Sequence, residues 1–411
     1  MKSPFFSRVG RVLLGTMGAQ LISLAVMLLL VRLYSPQDIG SFSVWLSIAT
    51  IIAVLVTGRY EMALFSGESL EDTPAIIKLV LQLTFFLSLL VSGMVFVSAF
   101  YIERVPVIVR DFGFALAAVV FGMGINKVVI SLLTLQQSFN KLGIARVALA
   151  GSVAIAQVLA GWMSIGVAGL IYGQVAGVLL ATLFACFWFE KKLLIKCWNT
   201  SSIEVFATAK RYINFPKFSL PADLLNTIAS QVPVILIAFR FGTEPAGWFA
   251  LTLRMMGAPI ALLATSVLDV FKEQAARDYR ANGNCLGIFL KTFKVLGVLA
   301  FFPFAAFAFL GEWAFGFFFG EQWTESGRYA VLLIPMFYMR FVVSPLSYTI
   351  YIAQRQKIDL AWQVVLLGLT LSCFLLPDSI DSALWSYSIG YAIMYLIYFL
   401  ISYRCAKGVA S

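Results

Sequence analysis

Histidine is absent from the 411 residues of the chain. Its absence removes the usual general base of enzyme active sites and the commonest protein ligand for metal ions. The five cysteines are scattered without a Cys-x-x-Cys pair, which argues against a disulfide framework and against a thiolate metal site. We therefore expect no catalytic residue, no metal site and no bound cofactor.

Charged residues are scarce as well, at 12% of the chain, whereas 61% of the residues are hydrophobic. So much apolar side chain cannot be buried inside a water-soluble globule, so lipid must be the solvent. Backbone groups in hydrocarbon must be paired internally, and the long unbroken apolar runs exclude the alternating pattern of barrel strands. The sequence predicts an all-α integral membrane protein.

About twelve apolar runs are long enough to cross roughly 30 Å of hydrocarbon as helices. The runs are residues 12–33, 40–58, 76–100, 112–135, 146–166, 167–188, 218–239, 246–270, 288–310, 327–352, 360–377 and 381–402. The sequence thus predicts about twelve transmembrane helices.

Most of the 30 Lys and Arg residues fall on one side of the membrane when both termini are placed there. The positive-inside rule assigns that side, with both termini, to the cytoplasm. The net charge of +10 is explained in this way, and we expect no binding of nucleic acid. Loops on the opposite side are short, the longest being residues 311–326, and leave no room for an external catalytic domain.

A basic connection over residues 189–217 divides the chain into two parts. We predict an N-terminal six-helix lobe over residues 1–188 and a C-terminal six-helix lobe over residues 218–411. Two such lobes with an even number of helices share one orientation, so a pseudo-twofold axis runs along the membrane normal. The expected architecture is a pair of lobes around a central cavity whose access alternates as the lobes rock.

The two halves also resemble each other in sequence. Residues 28–50 and 235–257 each contain an apolar helix end, an aromatic residue and a turn with proline and an acid. Gly40 and Gly247 then open an aromatic-rich helix in each half. This pattern indicates an internal repeat.

Prolines of the second half lie in or near its predicted spans and predict kinked helices there. We favour ordinary packing around these kinks. The alternative is that the kinks are hinge points for a moving lobe. The prolines are Pro221, Pro233, Pro259, Pro303, Pro335 and Pro345.

Three cations, Lys127, Arg254 and Arg340, lie inside predicted spans. An ionised side chain at this depth costs about 2.5–3.5 kcal/mol on insertion scales and therefore tends to face water. A cavity with three cations suits an anion such as a pyrophosphate, to which arginine offers two parallel hydrogen bonds. Snorkelling to the interface or structural pairing is the competing interpretation. Of the three, we take Arg254 as the strongest substrate-binding candidate.

Arg59 and Glu61 close the second span on its cytoplasmic side and are candidates for gating the cytoplasmic mouth, or for a simple positive-inside anchor. Residues two apart do not share a helix face, so we expect each to pair with other helices. Asp223, near the start of the seventh span, and Asn226, one turn later, are the candidate proton or sodium site. An ordinary carboxylate at a helix start, stabilised by the helix dipole, is the alternative.

Two segments carry a resemblance to a known family. Residues 33–64, which include Arg-Tyr-Glu at 59–61, are similar to the first loop and second helix of the polysaccharide-transport proteins. Residues 215–283 are similar to their seventh and eighth helices. These proteins are the O-antigen and capsule flippases of the multidrug/oligosaccharidyl-lipid/polysaccharide exporter superfamily.

The resemblance implies a flippase of the bacterial inner membrane rather than an enzyme. Its substrate would be an undecaprenyl-pyrophosphate-linked oligosaccharide repeat unit, moved from the cytoplasmic to the periplasmic leaflet for O-antigen (lipopolysaccharide) or other surface polysaccharide. It implies lipid-linked oligosaccharide and membrane lipids as partners, with a polysaccharide polymerase and a chain-length regulator as further candidates. It also implies cavity cations, a role that Lys127, Arg254 and Arg340 fit, and coupling to a proton or sodium gradient without a recognisable ion-ligand motif here.

Two alternatives stay open at the level of sequence. A drug or cation antiporter of the same superfamily would need carboxylates in its cavity, and the predicted spans contain few. A membrane polysaccharide polymerase would need a large external loop with paired acids or arginines, and the external loops are short.

Overall fold

The computed structural model describes residues 4–65, 72–101, 107–188 and 191–408. Within these residues the regular structure is entirely helical, without a strand. The α-helices are α1 Pro4–Leu33, α2 Pro36–Leu55, α3 Thr73–Tyr101, α4 Val107–Asp111, α5 Gly113–Leu135, α6 Phe139–Trp162, α7 Val167–Cys186, α8 Lys191–Asn199, α9 Ser202–Arg211, α10 Leu220–Phe241, α11 Thr243–Asn282, α12 Leu286–Phe319, α13 Thr324–Leu332, α14 Ile334–Val343, α15 Tyr348–Ile352, α16 Gln356–Leu375 and α17 Ile380–Ala406.

These helices account for the predicted spans. Nine helices of the described residues are long and apolar enough to cross a membrane, and a bent pair supplies a tenth. The two other predicted runs, 12–33 and 246–270, fall within α1 and α11. The predicted all-α integral membrane fold is therefore confirmed. The predicted cytoplasmic placement of the termini stays a prediction, and residues 1–3 and 409–411 lie outside the described residues.

Two helices extend beyond the predicted boundaries. The expected external loop over residues 311–326 is largely helical, because the aromatic-rich sequence continues α12 to Phe319. Helix α11 continues to Asn282, where the left-handed Gly283 ends it. Its last turns are polar and carry the Arg277–Glu273 pair at 2.6 Å, so hydropathy does not detect them.

The tenth predicted span is broken. Its segments Glu321–Leu332 and Ile334–Ile352 meet at an angle of 54°. Pro335 lies in the first turn of the second segment, where a missing N–H leaves no helical hydrogen bond unmade. Helices α10 and α12 instead run through Pro233 and Pro303 without interruption.

The chain forms two compact units, residues 1–231 and 232–411, with the boundary inside α10. In the first unit α6 packs against α1 and α7, and α5 packs against α2, α3 and α7. In the second unit α12 packs against α13 and α14, and α17 packs against α14 and α16. The division into lobes 1–188 and 218–411 with a linker over 189–217 stays a prediction.

The repeated sequence pattern has the same local structure in both halves. Helix α2 begins at Pro36 after the N-cap Ser35, and α11 begins at Thr243 after Gly242. Gly40 and Gly247 therefore lie four residues inside their helices, rather than opening them as expected. The equal offset supports the alignment of the two segments.

Large apolar side chains cover the outside of the helices. Phe86, Phe114 and Phe309 are among the most exposed, Phe309 at 89%. A water-soluble protein rarely exposes so many large apolar side chains together, whereas lipid solvates them. The exposed surface is therefore consistent with the membrane fold.

Helices α6 and α7 are in close contact along a line of small residues. A β-carbon added at Gly177 would lie 2.4 Å from the Cα atom of Val153, and one at Gly173 would lie 2.9 Å from that of Gln157. Membrane helices associate through such close backbone approach, because lipid supplies no hydrophobic drive between them. The two glycines set the distance between α6 and α7.

We expect Gly177→Ala to lower the free energy of unfolding by about 1–3 kcal/mol, because the new methyl group overpacks the helix contact. Thermal unfolding of the purified protein measures the change. Gly151→Ala on α6 is the matched control, because a β-carbon there meets no atom within 4 Å. Equal unfolding midpoints for the two variants would contradict the packing argument.

Candidate functional site

Four charged side chains of the first unit meet where α2 ends. We call Arg59, Glu61, Lys127 and Asp223 the charged cluster. A guanidinium nitrogen of Arg59 lies 3.3 Å from Oδ2 of Asp223 and 3.9 Å from Oε1 of Glu61. Lys127 lies close enough to Arg59, Glu61 and Asp223 for its charge to interact with all three. The cluster holds two cations and two carboxylates, so its formal charges balance.

The turn after α2 builds one half of the cluster. Gly58 and Arg59 have φ values of 58° and 61°, and the short helix Tyr60–Phe65 follows directly. The left-handed conformation costs arginine about 1–2 kcal/mol. It also removes the regular helix geometry that would place Arg59 and Glu61 on different faces. The expectation that each would pair only with other helices is therefore wrong for this contact, although the shorter contact of Arg59 is with Asp223 on α10.

Glu61 is the most deeply buried member of the charged cluster. The residue is 4% exposed, and its Oε2 atom has no hydrogen-bond partner among the residues that the structure describes. Burying a lone carboxylate is costly unless a cation compensates it. Arg59, 3.9 Å from Oε1 of Glu61, supplies that compensation, and the positive charge of Lys127 adds to it.

Lys127 projects from the middle of α5 and donates a hydrogen bond from Nζ to the carbonyl oxygen of Ala53 at 2.8 Å. Ala53 belongs to the last turn of α2, where carbonyl groups lack intrahelical partners. The negative end of the helix dipole also favours a cation there. Part of the cost of placing Lys127 at membrane depth is offset by this contact.

Tyr60 lies between Arg59 and Glu61 in the chain and contacts α9, which belongs to the segment that precedes α10. Its hydroxyl donates to the carbonyl oxygen of Ala209 in α9 at 3.1 Å. Burial raises the pKa of Tyr60 above its ordinary value, so the hydroxyl keeps its proton and remains a donor.

Asp223 and Asn226 both lie in α10, one turn apart. Asp223 keeps about a quarter of its side chain exposed while it pairs with Arg59, and Asn226 is exposed. Their role as a proton or sodium site stays a prediction. No group of three His, Cys, Asp or Glu side chains within the described ranges has the geometry to hold a metal ion.

The two other intramembrane cations belong to the second unit. Arg254 lies on α11 and Arg340 on α14, and these two helices pack against each other. Both side chains are exposed at the surface of the unit. The charge of Arg340 is also within reach of Tyr387 and Tyr395 on α17.

Sequence reasoning missed one polar group in the second unit. Asp359 in α16 is 6% exposed and accepts hydrogen bonds from three neutral donors. Tyr351 and Gln363 donate to its Oδ2 atom at 2.8 and 2.9 Å, and Tyr398 donates to its Oδ1 atom. The predicted run 360–377 began one residue too late to include Asp359. The spacing of Tyr391, Tyr395 and Tyr398, which places hydroxyls on one face of α17, was the available signal, since Tyr398 is one of the three donors.

Comparison with solved structures identifies the fold. The lipid II flippase MurJ in an inward closed conformation has a TM-score of 0.73 at 13% identity, covering 94% of this chain and 86% of that one. An inward-facing multidrug resistance transporter of the MATE family, MOP superfamily, has a TM-score of 0.65 at 14% identity over 93% of both chains. A MOP superfamily transporter from Pyrococcus furiosus has a TM-score of 0.60 at 14% identity, covering 98% of this chain and 95% of that one.

The chain thus has the fold of MOP superfamily transporters, as the resemblance of residues 33–64 and 215–283 predicted. No curated protein matches the chain in sequence. The family described as polysaccharide biosynthesis protein matches residues 29–328, which is well over half of the chain. The chain belongs to the polysaccharide biosynthesis protein family.

Proposed function

We propose that the chain is a flippase that moves an undecaprenyl-pyrophosphate-linked oligosaccharide repeat unit from the cytoplasmic to the periplasmic leaflet of the bacterial inner membrane. The product would serve O-antigen or other surface polysaccharide synthesis, with a polymerase and a chain-length regulator acting next. The observation that carries the proposal is the exposure of Arg254 and Arg340 on apolar helices of the second unit. Family membership and the MurJ-like fold support it.

An exposed guanidinium at membrane depth requires water or an anion, because hydrocarbon solvates it poorly. Arg254 lies eight residues from the nearer end of the predicted run 246–270, roughly 12 Å along a helix, which is far for its side chain to reach the interface. A diphosphate is a suitable ligand, since arginine can donate two parallel hydrogen bonds to its oxygens. Arg254 and Arg340 are therefore proposed as headgroup ligands, and Lys127 as a third.

The charged cluster fits a gate that precedes release of the headgroup. While Arg59 is paired with Asp223 and Glu61, its charge is neutralised. In this state Arg59 is a poor ligand for an incoming anion. Protonation of Asp223, or sodium binding to Asp223 and Asn226, would weaken that hold. In this proposal the exchange of partners couples alternating access to a proton or sodium gradient, without a bound cofactor.

A drug or cation antiporter is the second candidate, favoured by the buried carboxylate of Asp359 and by the MATE-like fold. Asp359 already accepts hydrogen bonds from three neutral donors. A carboxylate with so many bonds is a weaker partner for a cationic drug than an open one. We therefore rank the flippase first.

Deletion of the gene in its host tests the flippase directly. We expect loss of surface glycan and retention of lipid-linked intermediate in the inner leaflet, because the headgroup cannot cross hydrocarbon unaided. Glycan gel analysis and extraction of lipid-linked sugars measure both. Unchanged glycan, combined with new sensitivity to cationic drugs, would favour the antiporter instead.

Arg254→Ala should abolish surface glycan while the protein still inserts, and Arg254→Lys should rescue it only in part. Lysine keeps the charge but loses the two-pronged hydrogen-bonding geometry. Complementation of the deletion strain, with immunoblotting of membranes, measures activity and insertion together. Arg277→Ala is the matched control, because Arg277 is an exposed residue of the same helix. Full activity of Arg254→Ala would remove Arg254 from the site.

The contact between Arg59 and Asp223 should appear as an energetic coupling. A double-mutant cycle with Arg59→Gln and Asp223→Asn should give about 0.5–3 kcal/mol, because the two side chains share one partly buried network. Denaturant unfolding of the four purified proteins supplies the cycle. The exposed Arg277–Glu273 pair should give only about 0.3–0.5 kcal/mol. Equal couplings for the two pairs would show that the cluster is no more than a surface contact.

A further inference from the structure

The connection before α10 contains two short helices, each of which packs one of its sides against the first unit. Helices α8 and α9 both pack against α3. Cys197, Val205 and Tyr212 are buried there, in a cluster with Ile76 and Ile77 near the start of α3. The attached side is therefore an ordinary apolar contact at one end of a membrane-spanning helix.

Polar contacts fix the position of these helices. Lys78 of α3 donates to the carbonyl oxygens of Trp198 and Thr200 at 3.2 and 2.6 Å, at the end of α8. Arg211 at the end of α9 pairs with Asp72 at 2.6 Å. The two helices are thus held beside the first turns of α3, where the predicted span 76–100 begins.

The side that faces away from the unit is also apolar. Four large side chains there are strongly exposed: Ile195 at 59%, Trp198 at 86%, Ile203 at 82% and Phe206 at 74%. In each helix the exposed pair is three residues apart and so lies on one face. We call these four residues, with Lys196 and Lys210, the linker surface. Water is a poor solvent for so many large apolar groups on two short helices.

Charge indicates what covers the linker surface. Residues 191–217 contain six Lys and Arg residues and one acid, Glu204. Lys196 and Lys210 are exposed on the same two helices as the apolar side chains. A helix with aromatic and aliphatic residues on its exposed face and flanking lysines matches the interface of an anionic bilayer. Apolar transmembrane helices, α7 and α10, adjoin this connection at both ends, which holds it near that interface.

We propose that the linker surface docks on the anionic phospholipids of the leaflet it faces, with Trp198, Ile203 and Phe206 inserted among the headgroups and Lys196 and Lys210 paired with lipid phosphates. The proposal uses the predicted cytoplasmic side of residues 189–217 and goes beyond the transport activity. Lipid would then hold α9, whose Ala209 carbonyl binds Tyr60 beside the charged cluster.

Hydrogen exchange of the full-length protein in nanodiscs tests the docking. Discs of phosphatidylcholine are compared with discs in which roughly one third of the lipid is phosphatidylglycerol, the anionic component that attracts basic segments. Amides in peptides covering residues 195–213 should exchange more slowly in the anionic discs, by about fivefold for each basic side chain that contacts the surface. Salt at about 0.5 M should remove the difference, because it screens exposed charges.

Variants separate the contributions of charge and apolar contact. Lys196→Gln/Lys210→Gln should lose the dependence on lipid charge, whereas the control Lys291→Gln/Lys294→Gln, exposed lysines of α12, should keep it. Ile203→Ser/Phe206→Ser should exchange faster in both kinds of disc. Exchange that ignores lipid charge in the wild type, or a lipid effect that survives Lys196→Gln/Lys210→Gln, would overturn the proposal. Protection that appears only with an added soluble protein would do the same. None of these readouts requires transport, so failure here is distinct from failure of the flippase.

Discussion

The cost of an ionised side chain in hydrocarbon governs the polar part of this molecule. A charge at membrane depth is tolerated when an opposite charge or a helix end neutralises it, or when water reaches it. The first unit uses neutralisation, since Arg59 pairs with Asp223 and Lys127 binds the carbonyl of Ala53. The second unit leaves Arg254 and Arg340 exposed. The intramembrane charges of the two units therefore differ in how far they are exposed.

The internal repeat shows how this difference is built on similar backbones. When residues 28–50 are aligned with residues 235–257, Arg254 corresponds to Ser47. Ser47 is buried within α2, whereas Arg254 is exposed on α11. A small hydroxyl suits a helix face that packs against neighbouring helices, and a long cation suits a face that meets water. Conversely, the cations of the charged cluster stand at the end of α2 and on α5, beyond the aligned segment.

Sequence reasoning predicted the helices well because hydropathy reports burial in lipid directly. It failed where a helix continues into polar residues, and where an apolar helix continues into a segment that was expected to be a loop. The predicted run 246–270 ends before the polar last turns of α11, and the aromatic continuation of α12 was assigned to an external loop. At the site, the sequence singled out Arg59, Glu61, Lys127 and Asp223 as separate candidates. Their assembly into one cluster depends on the left-handed Arg59, because a backbone conformation that L residues rarely adopt has no signature in hydropathy. Asp359 was missed because a boundary error of one residue is decisive for a single charge at a helix start.

The left-handed turn at Arg59 also determines what the cluster can respond to. Arginine has no intrinsic preference for this conformation, so contacts on both sides of the turn must hold it. Asp223 and Glu61 hold the side chain of Arg59, and the next residue, Tyr60, is held by its hydrogen bond to the carbonyl oxygen of Ala209 in α9. Helix α9 is in turn attached to the start of α3 through Asp72. Movement of α10 or of α9 therefore acts on the same turn. The ion binding proposed at Asp223 and the lipid docking proposed for the linker surface would both act on the conformation of Arg59.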